Sequence, residues 1–139
     1  MNESVHRYCL KKSERLCSRT AVEMLFARGQ SSIAYPLRAV YRFRQADERS
    51  GGVQMMITIP KKKIKLAVNR VLLRRRIREA YRLHRGERLA TALGAAPMAL
   101  DVAFLYLATS IEPYRVIEAK VCDLLDRIAR HAQESSSQP

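Results

Sequence analysis

The sequence predicts an α+β domain, a two-layer α/β sandwich with the order helix, strands, helix, strand, helix. Three observations predict it. Stretches of period 2 and of period 3.6 succeed one another along 139 residues without an internal repeat. Hydrophobic residues make up 47% of the chain, enough for one core in a chain too short for two. Gly29, Pro60 and Pro113 stand at the joins between periodic stretches.

Each element has its own signal. Residues 1–10 are polar and irregular and read as a flexible N-terminal arm, with residues 11–130 as the single folded domain. Val22, Leu25 and Phe26 fall at i, i+3, i+4 in a helix over residues 20–28, capped by Ser13 or Ser18 and stopped at Gly29. Residues 31–44 read as one strand, in which Leu37, Ala39, Tyr41 and Phe43 alternate with Arg38, Val40, Arg42 and Arg44; Pro36 belongs near its beginning or on an edge. After a charged turn over residues 45–52, residues 53–59 form a second strand ended by Pro60. A basic connector leads into a helix over residues 68–88. A loop at 94–97 precedes an apolar third strand at 100–108. Pro113 suits the first turn of a last helix through Arg130, with Val116, Ala119, Val121, Cys122, Leu125 and Ile128 on or near its buried face. Residues 131–139 read as a disordered tail.

Charge narrows the function. Lys and Arg number 26 against 13 Asp and Glu, a net +13. Residues 61–88 alone hold 12 basic residues against two acidic ones, so +10 lies there and +3 in the rest. A charge so placed points to a polyanion. No apolar run is long enough for a membrane span, and the N-terminal residues have no apolar leader core, so neither a membrane nor a secretory route is expected. Cys9, Cys17 and Cys122 are odd in number and widely spaced, which fits reduced thiols and a cytoplasmic protein.

The basic helix is amphipathic. At about 100° per residue, Arg74, Arg75, Arg78, Arg82 and Arg85 fall within about 140° of Arg70. Leu73, Ile77 and Ala80 fall on another face. Glu79 can pair with Arg75 or Arg82 but cannot neutralise the stripe. Like charges at i, i+4 cost a few tenths of a kcal/mol per pair, so a partner must offset them. Arginine rather than lysine favours bidentate contact with phosphate and base edges.

These residues resemble a known family. Lys61-Lys62-Lys63-Ile64-Lys65-Leu66-Ala67-Val68, then Arg70 and Arg74-Arg75-Arg76-Ile77-Arg78-Glu79, is similar to the bacterial ribonuclease P protein component. Lys12-Ser13-Glu14-Arg15-Leu16 and Leu25-Phe26-Ala27-Arg28-Gly29 fit its opening helix. Val71 stands where the family carries Asn, and Val22 where many members carry a second Phe. The resemblance implies a left-handed βαβ crossover, an exception to the usual hand, in a fold like the second domain of a small-subunit ribosomal protein. It also implies an accessory subunit of the ribozyme that removes the 5′ leader of precursor tRNA. The catalytic RNA would carry the chemistry, with Mg²⁺ held mainly by that RNA.

Carried over residue by residue, Arg70, Arg74, Arg75, Arg78 and Arg82 would contact the RNA subunit, flanked by Lys61, Lys62, Lys63 and Lys65. Phe26, Ala39 and Tyr41 would line a cleft for the single-stranded leader of precursor tRNA. Alternation leaves Arg38, Val40 and Arg42 as the other choice, and core packing is the alternative role for Phe26 and Tyr41. No obligate protein partner is implied. His6, His84 and His131 show no metal-ligand spacing, and no catalytic constellation stands out in the chain. The alternative function is a general structured-RNA-binding or ribosome-associated module without a role in cleavage.

Overall fold

The computed structural model describes Leu16 and residues 19–45, 53–90 and 98–137. The expected arm at 1–10, the caps Ser13 and Ser18, the turn at 46–52 and the loop at 94–97 lie outside those residues.

Helix α1 spans Arg19–Arg28. It ends where the Gly29 N–H donates to the Leu25 carbonyl at 2.7 Å. A Cβ at Gly29 would collide with that carbonyl and crowd Val40 and the Tyr41 carbonyl, so glycine lets α1 turn tightly onto the sheet.

Residues 31–44 form two strands rather than one. β1 (Gln30–Ala34) and β2 (Leu37–Gln45) pair antiparallel, with Ala34 opposite Leu37. The reversal is Tyr35–Pro36, whose peptide bond is cis. Pro36 does precede the long strand, but the residues before it fold back along that strand's edge.

β3 (Val53–Thr58) and β4 (Met98–Tyr106) complete a sheet in the order β1-β2-β4-β3. β2 and β4 run antiparallel, whereas β3 and β4 run parallel. Residues 99–104 of β4 are all buried, as a strand covered on both faces requires.

Helix α2 (Ala67–Arg85) crosses over from β3 toward β4 and runs into a π-helical turn, Gly86–Ala90. Helix α3 (Tyr114–Ser137) begins after Pro113, whose carbonyl accepts from the Val116 and Ile117 N–H groups. It continues past the expected end at Arg130, so residues 131–137 of the expected tail are helical. The apolar face persists there: Ala132 is buried, and His131 shares a hydrogen bond with the Tyr41 hydroxyl.

The helices divide between the two faces of the sheet. Leu73, Ile77, Ala80 and Tyr81 of α2 and Ile117, Val121, Leu124, Leu125 and Ile128 of α3 pack with Leu37, Tyr41, Val102 and Phe104. Ala21 and Leu25 of α1 pack with Val40 and Ala103 on the opposite face. Polar clips join α2 and the π turn to the last helix and the residues just before it. Arg76 donates to the Glu112 carbonyl at 2.5 Å, His84 lies 3.1 Å from Glu118, and the π turn's Arg88 reaches both Asp126 oxygens at 2.6 Å.

Hydrogen bonds from His84 and Tyr114 hold the Glu118 carboxyl below its usual range. Burial and the bond to Glu118 push the Tyr114 phenol up to about 12.

Two outcomes follow from this packing. Ile77→Ala removes a fully buried side chain between α2 and the sheet and should cost about 2–5 kcal/mol in urea unfolding. Because the Glu118 pKa is depressed by folding, its ion contributes stability above the ordinary carboxylate range and loses it as pH falls through the folded value. Urea midpoints should therefore drop less steeply on acidification in Glu118→Gln than in the parent chain.

Candidate nucleic-acid interface

Because α2 commits Leu73, Ile77, Ala80 and Tyr81 to the core, its opposite stripe projects outward. Lys61, Lys62, Lys63, Lys65, Arg74, Arg75 and Arg78 are all exposed. Among the described residues, none forms a hydrogen bond or ion pair with the Arg74, Arg75 or Arg78 side chain. Three guanidinium groups of the helix and four ammonium groups of the connector are thus exposed together along one stretch of chain.

The other arginines on this helix have internal roles. Arg70 Nη1 donates to the Ile64 and Lys65 carbonyls, both at 2.8 Å, and so fastens the connector to the helix start. Arg82 pairs with Glu79 at 2.6 Å. Arg85 lies over the Tyr81 ring, 5.8 Å from its centroid. Spacing alone places all six on one side; their neighbours separate them into two groups.

The expected leader cleft needs a correction. Ala39 and Tyr41 are fully buried, on the sheet face covered by α2 and α3, and cannot line a surface beside α1. Their alternation partners lie on the α1 side of the sheet, where Ile33 is exposed, Arg38, Arg42, Met56 and Leu105 are half-buried, and Val40, Ala103, Asp101 and Gln54 are buried. Ile33, Arg38 and Leu105 make one cross-strand row, and Val40, Ala103 and Met56 the next. A third row holds Arg42, Asp101 and Gln54. Phe26, 46% exposed, stands on α1 one turn beyond Val22, which packs against that face. Arg38 Nε is buried with no hydrogen-bond partner among the described residues. The sequence signal for this choice was the alternation itself; it defined two sets of side chains without saying which one α1 covers.

Among the described residues, no group of three or more His, Cys, Asp or Glu could hold a metal ion. No helix among them is long and apolar enough to cross a membrane.

A family model described as Ribonuclease P matches residues 10–113, a stretch that holds α1, the whole sheet and α2. The chain belongs to the ribonuclease P protein family. A ribonuclease P protein component from Porphyromonas gingivalis is 32% identical over 127 residues, covering 91% of each chain. One from Chlorobium phaeobacteroides is 27% identical over 132 residues, covering 89% of this chain and 90% of its own. The fold has solved counterparts. The RNase P protein of Thermotoga maritima superposes with a TM-score of 0.62 at 21% identity, over 82% of this chain and 96% of that one. A Staphylococcus aureus RNase P protein mutant gives 0.64 at 16%, over 92% and 94%. In this ribonuclease P family member, β3, α2 and β4 form the parallel crossover, and the basic block occupies its connector and helix.

The division of the arginines predicts a division of effects. Arg74→Ala, Arg75→Ala and Arg78→Ala should each change unfolding free energy by less than about 0.5 kcal/mol. Arg70→Ala, which removes two bonds to backbone carbonyls, should cost about 1 kcal/mol or more by the same measurement.

Proposed function

We propose that this chain is the protein subunit of a ribonuclease P ribozyme, binding the catalytic RNA and the 5′ leader of precursor tRNA. The observation that carries the reading is the exposed basic cluster of Arg74, Arg75, Arg78 and the connector lysines in a chain of this family. Structured RNA offers a dense array of phosphates, and the planar guanidinium fork matches a phosphate's two oxygens.

The leader lies on the other face of the sheet in this reading. Phe26 offers a face to an unpaired base, Val40 lies among the strand side chains beside it, and Arg38 and Arg42 lie within reach of the backbone phosphates. Such contacts tolerate any leader sequence, because every base has a π-face. Mg²⁺ activation of the attacking water is assigned to the RNA; this chain's residues bind and orient.

The test is cleavage of a 5′-extended precursor tRNA by the cognate catalytic RNA at low Mg²⁺, with and without the chain. Stimulation by the pair, with no cleavage by the chain alone, supports the reading. RNA binding without stimulation favours a general structured-RNA-binding module instead. Arg38→Ala and Phe26→Ala should weaken precursor tRNA binding by the holoenzyme about tenfold, as loss of one stacking or charged contact does, and leave mature tRNA binding unchanged. Equal weakening of both RNAs would remove the leader from this face.

A further inference from the structure

The connector, the first turn of α2 and the segment after β4 border an open groove of about 370 Å³. Lys62, Lys63 and Lys65 line it, together with Leu66, Asn69 and Ile111. Its shape is set from within. Ile64 is buried beneath it, and the Arg70 clamp on the Ile64 and Lys65 carbonyls fixes the connector against the helix. The lysines are exposed, and so are two large apolar side chains, Leu66 and Ile111. The Asn69 backbone N–H donates to the Leu66 carbonyl, and among the described residues no hydrogen bond engages its side-chain amide.

A phosphate alone accounts for the lysines and leaves Leu66 and Ile111 in water without a purpose. An apolar ligand alone leaves three ammonium groups around it. A second copy of this chain, itself at +13, would meet like charge at the rim. One ligand class uses every feature: a nucleotide, with two apolar faces, a hydrogen-bonding edge and an attached anion. Proteins read looped or single-stranded RNA by taking such bases out of the stack and holding them between aromatic or apolar side chains. The volume lies at the lower end of the range for small-molecule sites, roughly 300–1,000 Å³.

We propose that this groove holds one unstacked nucleotide of bound RNA, with its base against Leu66 and Ile111, its edge on the Asn69 amide and its phosphate on the lysine rim. The inference rests on the RNA-binding reading above and adds a base-recognition site apart from both the arginine stripe and the α1 face.

The test uses the full chain, labelled on methyl and side-chain amide groups, titrated by NMR with adenosine 5′-monophosphate and separately with ribose 5-phosphate. The expected result is that the adenosine nucleotide shifts the Leu66 and Ile111 methyls and the Asn69 amide, saturating at about tenfold lower concentration than the sugar phosphate. Ile111→Ala, at an exposed position, should weaken the nucleotide about tenfold and leave ribose 5-phosphate binding unchanged. Equal saturation by both compounds would reduce the groove to an anion site and overturn the proposal. Shifts confined to the face beside α1, or no shifts at all, would overturn it too. Cleavage is not read in this experiment. Nucleotide binding without stimulation of the ribozyme would count against the ribonuclease P subunit role alone.

Discussion

Parallel pairing of β3 with β4 is the constraint on which the rest depends. Parallel neighbours cannot be joined by a tight turn; the chain must travel back along the sheet, as a helix does when it covers one face. That return path is the connector and α2, and the 12 basic residues at 61–88 lie on it. Packing Leu73, Ile77, Ala80 and Tyr81 against the sheet leaves the remaining face of the helix to solvent. The position of the charge is thus a consequence of topology, and its rigidity a consequence of core packing.

The sheet separates two kinds of surface. On one face α2 and α3 cover the strands, burying Tyr41, Val102 and Phe104. On the other, short α1 covers only part of the width, around Val40 and Ala103, and Ile33 remains exposed. The two faces divide the work in the proposed function: one fixes the arginine helix in place, and the other presents Phe26, Arg38 and Arg42 to the leader. The groove at the start of α2 lies at the end of the sheet where β3 passes into the connector.

Much of this was legible in the residues. The wheel of α2 separated Leu73, Ile77 and Ala80 from the arginines, and all three are fully buried. The apolar run interrupted by Asp101 marked β4 as a strand, and the structure buries it on both faces. What the residues hid was relational. Ser31 to Ala34 carry the same polar and apolar mixture as an edge strand or a strand's beginning, so the reversal at Tyr35–Pro36 did not stand out. Period 2 assigned Ala39 and Tyr41 to one set and Arg38, Val40 and Arg42 to the other, but only the placement of α1 decides which set it covers. The end of α3 ran past Arg130 because Ala132 still had a core to enter, which composition in a Ser- and Gln-rich segment does not show. Likewise, an arginine engaged by a backbone carbonyl is indistinguishable in sequence from one that is not.

On that last distinction the proposed function turns: Arg74, Arg75 and Arg78 are exposed and engaged by no other described residue, whereas Arg70 and Arg82 are held by the chain. Like charges along the exposed stripe repel one another until counter-charge arrives, and binding releases the ions condensed on each neutralised phosphate. The direct measurement is the salt dependence of affinity for the catalytic RNA. Each lost phosphate contact lowers the log–log slope by about 0.7–0.9, so replacing Arg74, Arg75 and Arg78 together by Ala should lower it by about 2–3. Replacing Arg70 and Arg82 together should leave the slope nearly unchanged. A slope that falls as much per residue for Arg70 and Arg82 as for the exposed three, or that is near zero in the parent chain, would contradict it.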